Sequence, residues 1–450
     1  MAEPDNELNS DWLEGQSIHP LRKELTQELH ARPYVGMTTP LDVFLFAKFT
    51  GEDSADSEYY NLVSFCNSNQ ITPPKQGARH HTMTLNGYCI RWERHGEFTT
   101  YTLHMSAIDA SPFQKKVPTF MLEWLSSTRG ELLVATHLSI RQMDDELYQD
   151  DLMHKFYASE SIVCSKIASG AAEVWTDVQI HNSGFNRILV LNRELKELTM
   201  GRIAQCLMDI STYRNMALLA LPVAQKTANQ IVTLDIKLSE LLDQLRDSSQ
   251  DKESLKNPIE NDSHMLQALT DLSMSIQRLS AQARNRLSAA DAYYALINSR
   301  LNELSEENVA GYQTIGEFIQ RRLSPAMRTC HSVQTRLENL SKRTSRAVDL
   351  LRTRLDLTLE RQNHNLLESM NKRVLVQMRL QETVEGLSIA AITYYIVGLI
   401  GYLAKSTHGL GLSLSPETIT GLSVVPIAVT VWFGIRQVKK KIRGVDHNAS

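Results

Sequence analysis

Glu93, His95 and Glu97 stand at alternate positions in the run Arg91-Trp92-Glu93-Arg94-His95-Gly96-Glu97-Phe98, with His80-His81 ten residues upstream. Two carboxylates and an imidazole at a spacing of two point the same way from an extended chain, the geometry of a metal site or a general acid/base pair. The same alternation at a turn also gives a solvated or ion-paired polar face, with Trp92 packed on the other side, and a structural Arg–Glu network around Trp92 is the preferred reading. His19 and Arg22, with His30 and Arg32, flank one short segment bracketed by Pro20 and Pro33, where helix caps or domain contacts account for them as well as a ligand does. There is no phosphate loop of the Gly-x-x-x-x-Gly-Lys type, no Gly-x-Ser-x-Gly elbow and no His-Glu-x-x-His. No cofactor and no catalytic residue is therefore expected, and the chain is read as a non-enzyme.

The elements that would carry these residues form an α+β domain. Leu41 to Phe49 reads as a strand, Thr82 to Glu93 as a hairpin around Asn86-Gly87, and Phe98 to Met105 as the next strand. Pro118 to Ser127 reads as a helix, Glu131 to Arg141 as a strand, and Ser161 to Ile180 as a hairpin around Ser169-Gly170. A meandering antiparallel sheet over residues 17–190, behind a loose polar tail at 1–16, is the expectation.

From Asn192 the apolar period becomes helical through Leu195, Leu198, Ile203, Leu207 and Ile210, with an interruption expected at Pro222 and a polar loop over 246–263. Tyr294, Ile297, Leu301 and Leu304 are spaced as in a coiled-coil seam. Ser324-Pro325 reads as the start of a long stalk, because Ser caps free N–H groups and Pro at the first position loses no bond. Val333, Leu337, Leu340, Ala347 and Leu350, then Leu359, Leu366, Met370 and Val374, give that stalk one apolar face that wants a partner. Residues 191–386 thus read as a helical bundle ending in the stalk.

The stalk runs into Leu387 to Ala404, 18 uncharged residues, and a second apolar run covers Ile419 to Ile435. Each is long enough as a helix to cross a hydrocarbon core of about 30 Å. Arg436, Lys439, Lys440, Lys441 and Arg443 follow the second run in the basic tail 436–450, whereas the linker 405–418 carries only Lys405, His408 and Glu417. The positive-inside rule then puts both termini in the cytoplasm, with the lipid bilayer as a partner. The N-terminus has no apolar core for a cleaved signal, and the five cysteines, without a Cys-x-x-Cys pair, suit reduced thiols. The net charge of −4 gives no reason to expect nucleic acid.

Two resemblances attach to these residues. His19-Pro20-Leu21-Arg22, His30-Ala31-Arg32-Pro33, the Arg91–Phe98 run, Thr212-Tyr213-Arg214-Asn215-Met216-Ala217-Leu218-Leu219 and Thr383-Val384-Glu385-Gly386-Leu387-Ser388 resemble the bacterial domain-of-unknown-function family 3422. That resemblance implies anchoring in the bacterial inner membrane and names no activity. The order of parts is similar to the CorA-type divalent-cation channels, and this implies a homo-oligomer with a divalent cation as partner. Gly398 and Gly401 match only the glycine spacing of that family's Gly-Met-Asn motif, and Leu403 stands where its Asn would be. Thr393, Gly398, Gly401, Tyr402 and Leu403 are the residues expected to line a path or pack the spans. A membrane-anchored oligomeric scaffold or sensor is the first expectation and a CorA-like conduit the second. A tethered enzyme using Glu93, His95 and Glu97 is the third.

Overall fold

A computed structural model describes residues 17–22, 25–26, 36–51, 55–108, 111–143, 150–157, 162–248, 258–407 and 416–446. The polar tail 1–16, His30 and Arg32, and parts of the 246–263 loop, the 405–418 linker and the basic tail lie outside them. The chain divides into two units, one of residues 1–247 with 268–347, the other of 248–267 with 348–450.

The first unit is built on β1 (Leu41–Phe49), whose residues 42–48 are all buried. A strand with no polar face has to be central. It lies between β4 (Phe98–Ser106) and β5 (Glu131–Gln142) in a nine-stranded sheet of order β2-β3-β4-β1-β5-β8-β7-β6-β9. Here β2 is His80–Leu85, β3 Tyr88–Arg94, β6 Val163–Ile167, β7 Ala172–Ile180, β8 Asn186–Asn192 and β9 Glu307–Asn308. The hairpin expected at Asn86-Gly87 is present, both residues having the positive φ of a tight primed turn. The sheet is mixed, however, and not a meander. β5 and β8 are parallel, and β1 is inserted between strands that follow it in the chain.

One face of the sheet carries α1 (Ala55–Ser68) and α2 (Thr119–Ser127). Phe44, Phe46, Trp92 and Tyr101 meet Leu62 and Cys66 of α1 and Met121 and Trp124 of α2 in one apolar cluster. A third short helix, α3, covers Asp150–Phe156. The charged ends of β1 are buried with partners. Asp42 accepts from Arg141 at 3.1 Å, while Lys48 donates to the Leu125 and Thr128 carbonyls and to the Thr128 hydroxyl at 2.8–3.0 Å. Burial lowers the Lys48 pKa, and the Arg141 and His137 partners hold Asp42 below its usual value against the opposing effect of its own burial.

The other face carries α4 (Glu197–Leu218), joined to β5 through the Thr136 and Ser211 hydroxyls at 3.0 Å. The break expected at Pro222 falls three residues earlier, at Leu219, and α5 runs over Ala220–Ser248. Pro222 has no N–H for the Leu218 carbonyl and its ring crowds it, so the ladder parts before the proline. α6 (Pro258–Leu304) buries Ile297, Leu301 and Leu304, while Tyr294 donates to Gln320 at 2.9 Å.

The last long helix, α7, begins at Ile315 and runs to Thr407, so Ser324-Pro325 lies inside it and does not start it. The cap is the capping box Thr314-Ile315-Gly316-Glu317. Glu317 N–H donates to Thr314 Oγ1 at 3.1 Å, and Thr314 N–H donates back to Glu317 Oε2 at 3.4 Å. Within the first unit Val333, Leu337, Leu340 and Ala347 are buried as the spacing requires. In the second unit the row continues through Leu351 and Leu355; Leu350, assigned to this row from sequence, is exposed because the row steps four residues from Ala347, to Leu351. Arg354 pairs with the buried Asp262 at 3.0 Å, and the helix α8 (Pro416–Asp446) completes the chain.

Gly130, between α2 and β5, has a φ of +87°, and a Cβ there would lie 2.5 Å from the Phe49 carbonyl oxygen. Gly130→Ala is expected to cost about 1–3 kcal/mol, whereas Gly96→Ala, with open space and no positive φ, stays within about 0.5 kcal/mol. Thermal melts of the two variants check the contrast.

Candidate functional site

β3 alternates its side chains between two environments. Trp92 is fully buried on the α1/α2 face, while Arg91 and Glu93 point toward α4 and pair with each other at 2.8 Å. On α4, Gln205 donates to Asp209 at 2.8 Å, and Arg300 of α6 donates to its other oxygen at 2.9 Å. Burial, reinforced by the nearby Glu93, lifts the Asp209 pKa to about 6 even with Arg300 attached. Glu97, in the turn after β3, accepts two bonds from Arg286 of α6 at 2.8 and 2.9 Å. His95 stacks on Phe98 with ring centres 4.2 Å apart, and Phe98 reaches Tyr213 and Tyr293 edge-on. Glu93, His95 and Glu97 therefore join the sheet to two helices. The void that Glu93 and His95 share with Asp209 is about 10 Å³, at the lower limit for one water. No substrate fits there, and no group of three or more His, Cys, Asp or Glu among the described residues has metal-binding geometry. His19 and Arg22 are exposed and far from this network in sequence and contact; His19 Nδ1 accepts from Leu21 N–H at 3.2 Å.

In the second unit, α7 and α8 each contain a window long and apolar enough to cross a membrane, with a mean hydropathy of 1.8 in both. Of the residues expected to pack or line these helices, Gly401 lies against α8. A Cβ there would lie 3.4 Å from Thr420 of α8. Thr393 is buried, and its hydroxyl finds no hydrogen bond among the described residues. Gly398 has open space beside it, and Tyr402 and Leu403 are exposed. Arg436 lies over the Trp432 ring at 4.9 Å, just past the second apolar window.

A cavity of about 450 Å³ escaped the reading of the sequence. Leu133 of β5, Asp177 and Val178 of β7, Arg214 and Leu218 of α4, and Phe318 of α7 are among the residues around it, all in the first unit. Arg214 belongs to the Thr212–Leu219 run, and its standing as the one charged residue between Asp209 and Leu219 was the available signal.

An α+β protein with a C-terminal helix pair of membrane-spanning length is the class that these features define. The chain belongs to the family described as protein of unknown function (DUF3422), whose model matches residues 17–442. Neither curated proteins nor solved structures yielded a match.

Asp209 gives a pH test of the network. A carboxyl group with a raised pKa stabilises the fold fully below its unfolded value near 3.8, and that contribution is lost as pH rises through about 6. Against Asp209→Asn, the native protein is expected to lose about 1 kcal/mol between pH 5 and pH 7. Chemical denaturation of both at the two pH values reads this directly, and a constant difference would contradict it.

Proposed function

We propose that this chain is a two-pass protein of the bacterial cytoplasmic membrane, a homo-oligomeric scaffold or sensor and not an enzyme. The observation that carries the reading is the apolar surface of the second unit. From Leu359 onward the long helix exposes Leu366, Met370, Val374 and Leu387, and no residue of the α8 apolar window is buried against the rest of the chain. Buried core helices of a soluble fold do not leave such surface in water. Lipid covers the two apolar windows in this reading, and further copies of the chain cover the row from Leu359 to Val384. The arginines and lysines after Ile435 hold the C-terminus, and with it the sheet-bearing N-terminal unit, on the cytoplasmic side.

A second reading, a CorA-like conduit for divalent cations, is favoured by Thr393. A hydroxyl buried without a partner within an apolar helix is satisfied either by a neighbouring subunit or by a polar path. Gly401 against Thr420 supplies close packing under either reading. Light scattering of the full chain in detergent is expected to give a mass of three copies or more, and a monomer would sink both readings. Liposomes holding the oligomer should show no divalent-cation flux if it is a scaffold, whereas a flux abolished by Thr393→Ala would favour the conduit.

A further inference from the structure

The cavity of about 450 Å³ in the first unit lies within the size range of small-molecule sites. Its position follows from the strands. The parallel pairing of β5 with β8 begins only at Thr136 and Asn186, so residues 131–135 of β5 run on with no strand on that side. β7 breaks its register with β8 between Thr176 and Ile180, and Val178 there has a φ of 57°, a conformation that a β-branched residue rarely adopts. Sheet pairing stops at this corner, and α4 and α7 close over the gap.

The lining pairs an apolar body with unmatched positive charge. Leu133, Leu218, Phe318 and Leu323 supply the apolar wall. Arg214 enters from α4 and Arg322 from α7, the latter with its guanidinium 4.6 Å from the Phe318 ring centre. No carboxylate pairs with either arginine among the described residues. The acid at the cavity, Asp177, is taken up by His181 at 3.1 Å. Burial alone brings the Arg214 pKa down to about 10, with no neighbouring charge offsetting it. An arginine held in protein without a counter-charge is costly unless an anion arrives, and its planar fork matches the two oxygens of a carboxylate.

We propose that this cavity binds an organic acid, one carboxylate on an apolar acyl or aryl body, anchored by Arg214 with Arg322 as the second cation. The inference deepens the sensor reading and rests on it for its biological sense. The readout is ligand binding at Arg214 in the first unit and not a sensing output, so either idea can fail alone.

The test is isothermal titration of the full chain in nanodiscs with 2-naphthoate and with its neutral counterpart 2-naphthamide. The acid is expected to bind at least tenfold more tightly than the amide. Arg214→Gln should bring the acid down to the level of the amide, and Arg214→Lys should keep part of the difference. Melting of each variant without ligand reports folding. If Arg214→Gln does not fold, Arg322→Gln on the other helix takes its place, with an expected loss of threefold or more. Equal affinity for acid and amide, no binding of either, or an affinity indifferent to both substitutions would overturn the proposal. Decanoate against hexadecanoate separates the sources: a gain that stops at decanoate marks a soluble acid, and a further gain at hexadecanoate marks a fatty acid from the membrane.

Discussion

What the last third of this chain requires is cover for apolar surface that the chain itself does not supply. In the first unit the central apolar faces have partners among the described residues: β1 lies between strands with helices on both faces, and the row from Ile315 to Ala347 of α7 is buried. Past Leu355 the same helix goes on with the same kind of sequence and no cover, so that Leu366 is 62% exposed and Met370 60%. At about 25 cal/mol for each Å² of apolar surface, a dozen such side chains left in water cost far more than a fold's usual margin of 5–15 kcal/mol. Lipid and further copies of the chain are the two covers consistent with the run's two parts. Its charged stretch up to Glu385 suits protein, and its uncharged stretch from Leu387 suits a bilayer.

The conspicuous polar motif near Trp92 belongs to the fold. Arg91 with Glu93, Glu97 with Arg286, and Asp209 with Arg300 fix α4 and α6 to the sheet, with almost no free volume between them. A buried charge whose partner is removed is heavily penalised, so such a network sets the position of the helices more than it adds to net stability. The cavity at Arg214 is built in the opposite sense, with charge and room but no paired carboxylate for that arginine among the described residues. The two sites draw on the same helix α4, and Arg214 is only five residues from Asp209.

Much of the local structure was legible in the sequence, and the parts that were missed share a physical cause. Asn86-Gly87 fixes its hairpin through backbone conformations that few other residues adopt, and the two apolar runs near the C-terminus stand out by length alone. β8 did not stand out, because Asn186–Asn192 is short and its parallel pairing with β5 is decided 50 residues away. Ser324-Pro325 has the composition of a helix start, yet the capping box ten residues earlier holds two orphan N–H groups and prevails. The Glu93, His95 and Glu97 spacing gave their shared direction but not Arg286 or Asp209, which arrive from helices more than 100 residues further on. The cavity was hidden for the same reason, since its wall comes from four separate stretches of chain.

The claim on which the functional account rests most is that α7 and α8 cross a bilayer. Alkaline carbonate extraction of membranes from cells making the full chain tests it most directly. The account predicts that the protein stays in the membrane pellet, and that Ile396→Arg with Val425→Lys, one charge in each apolar window, releases it. Complete release of the unaltered chain into the supernatant would contradict the account, and the exposed row along α7 would then need protein alone to cover it.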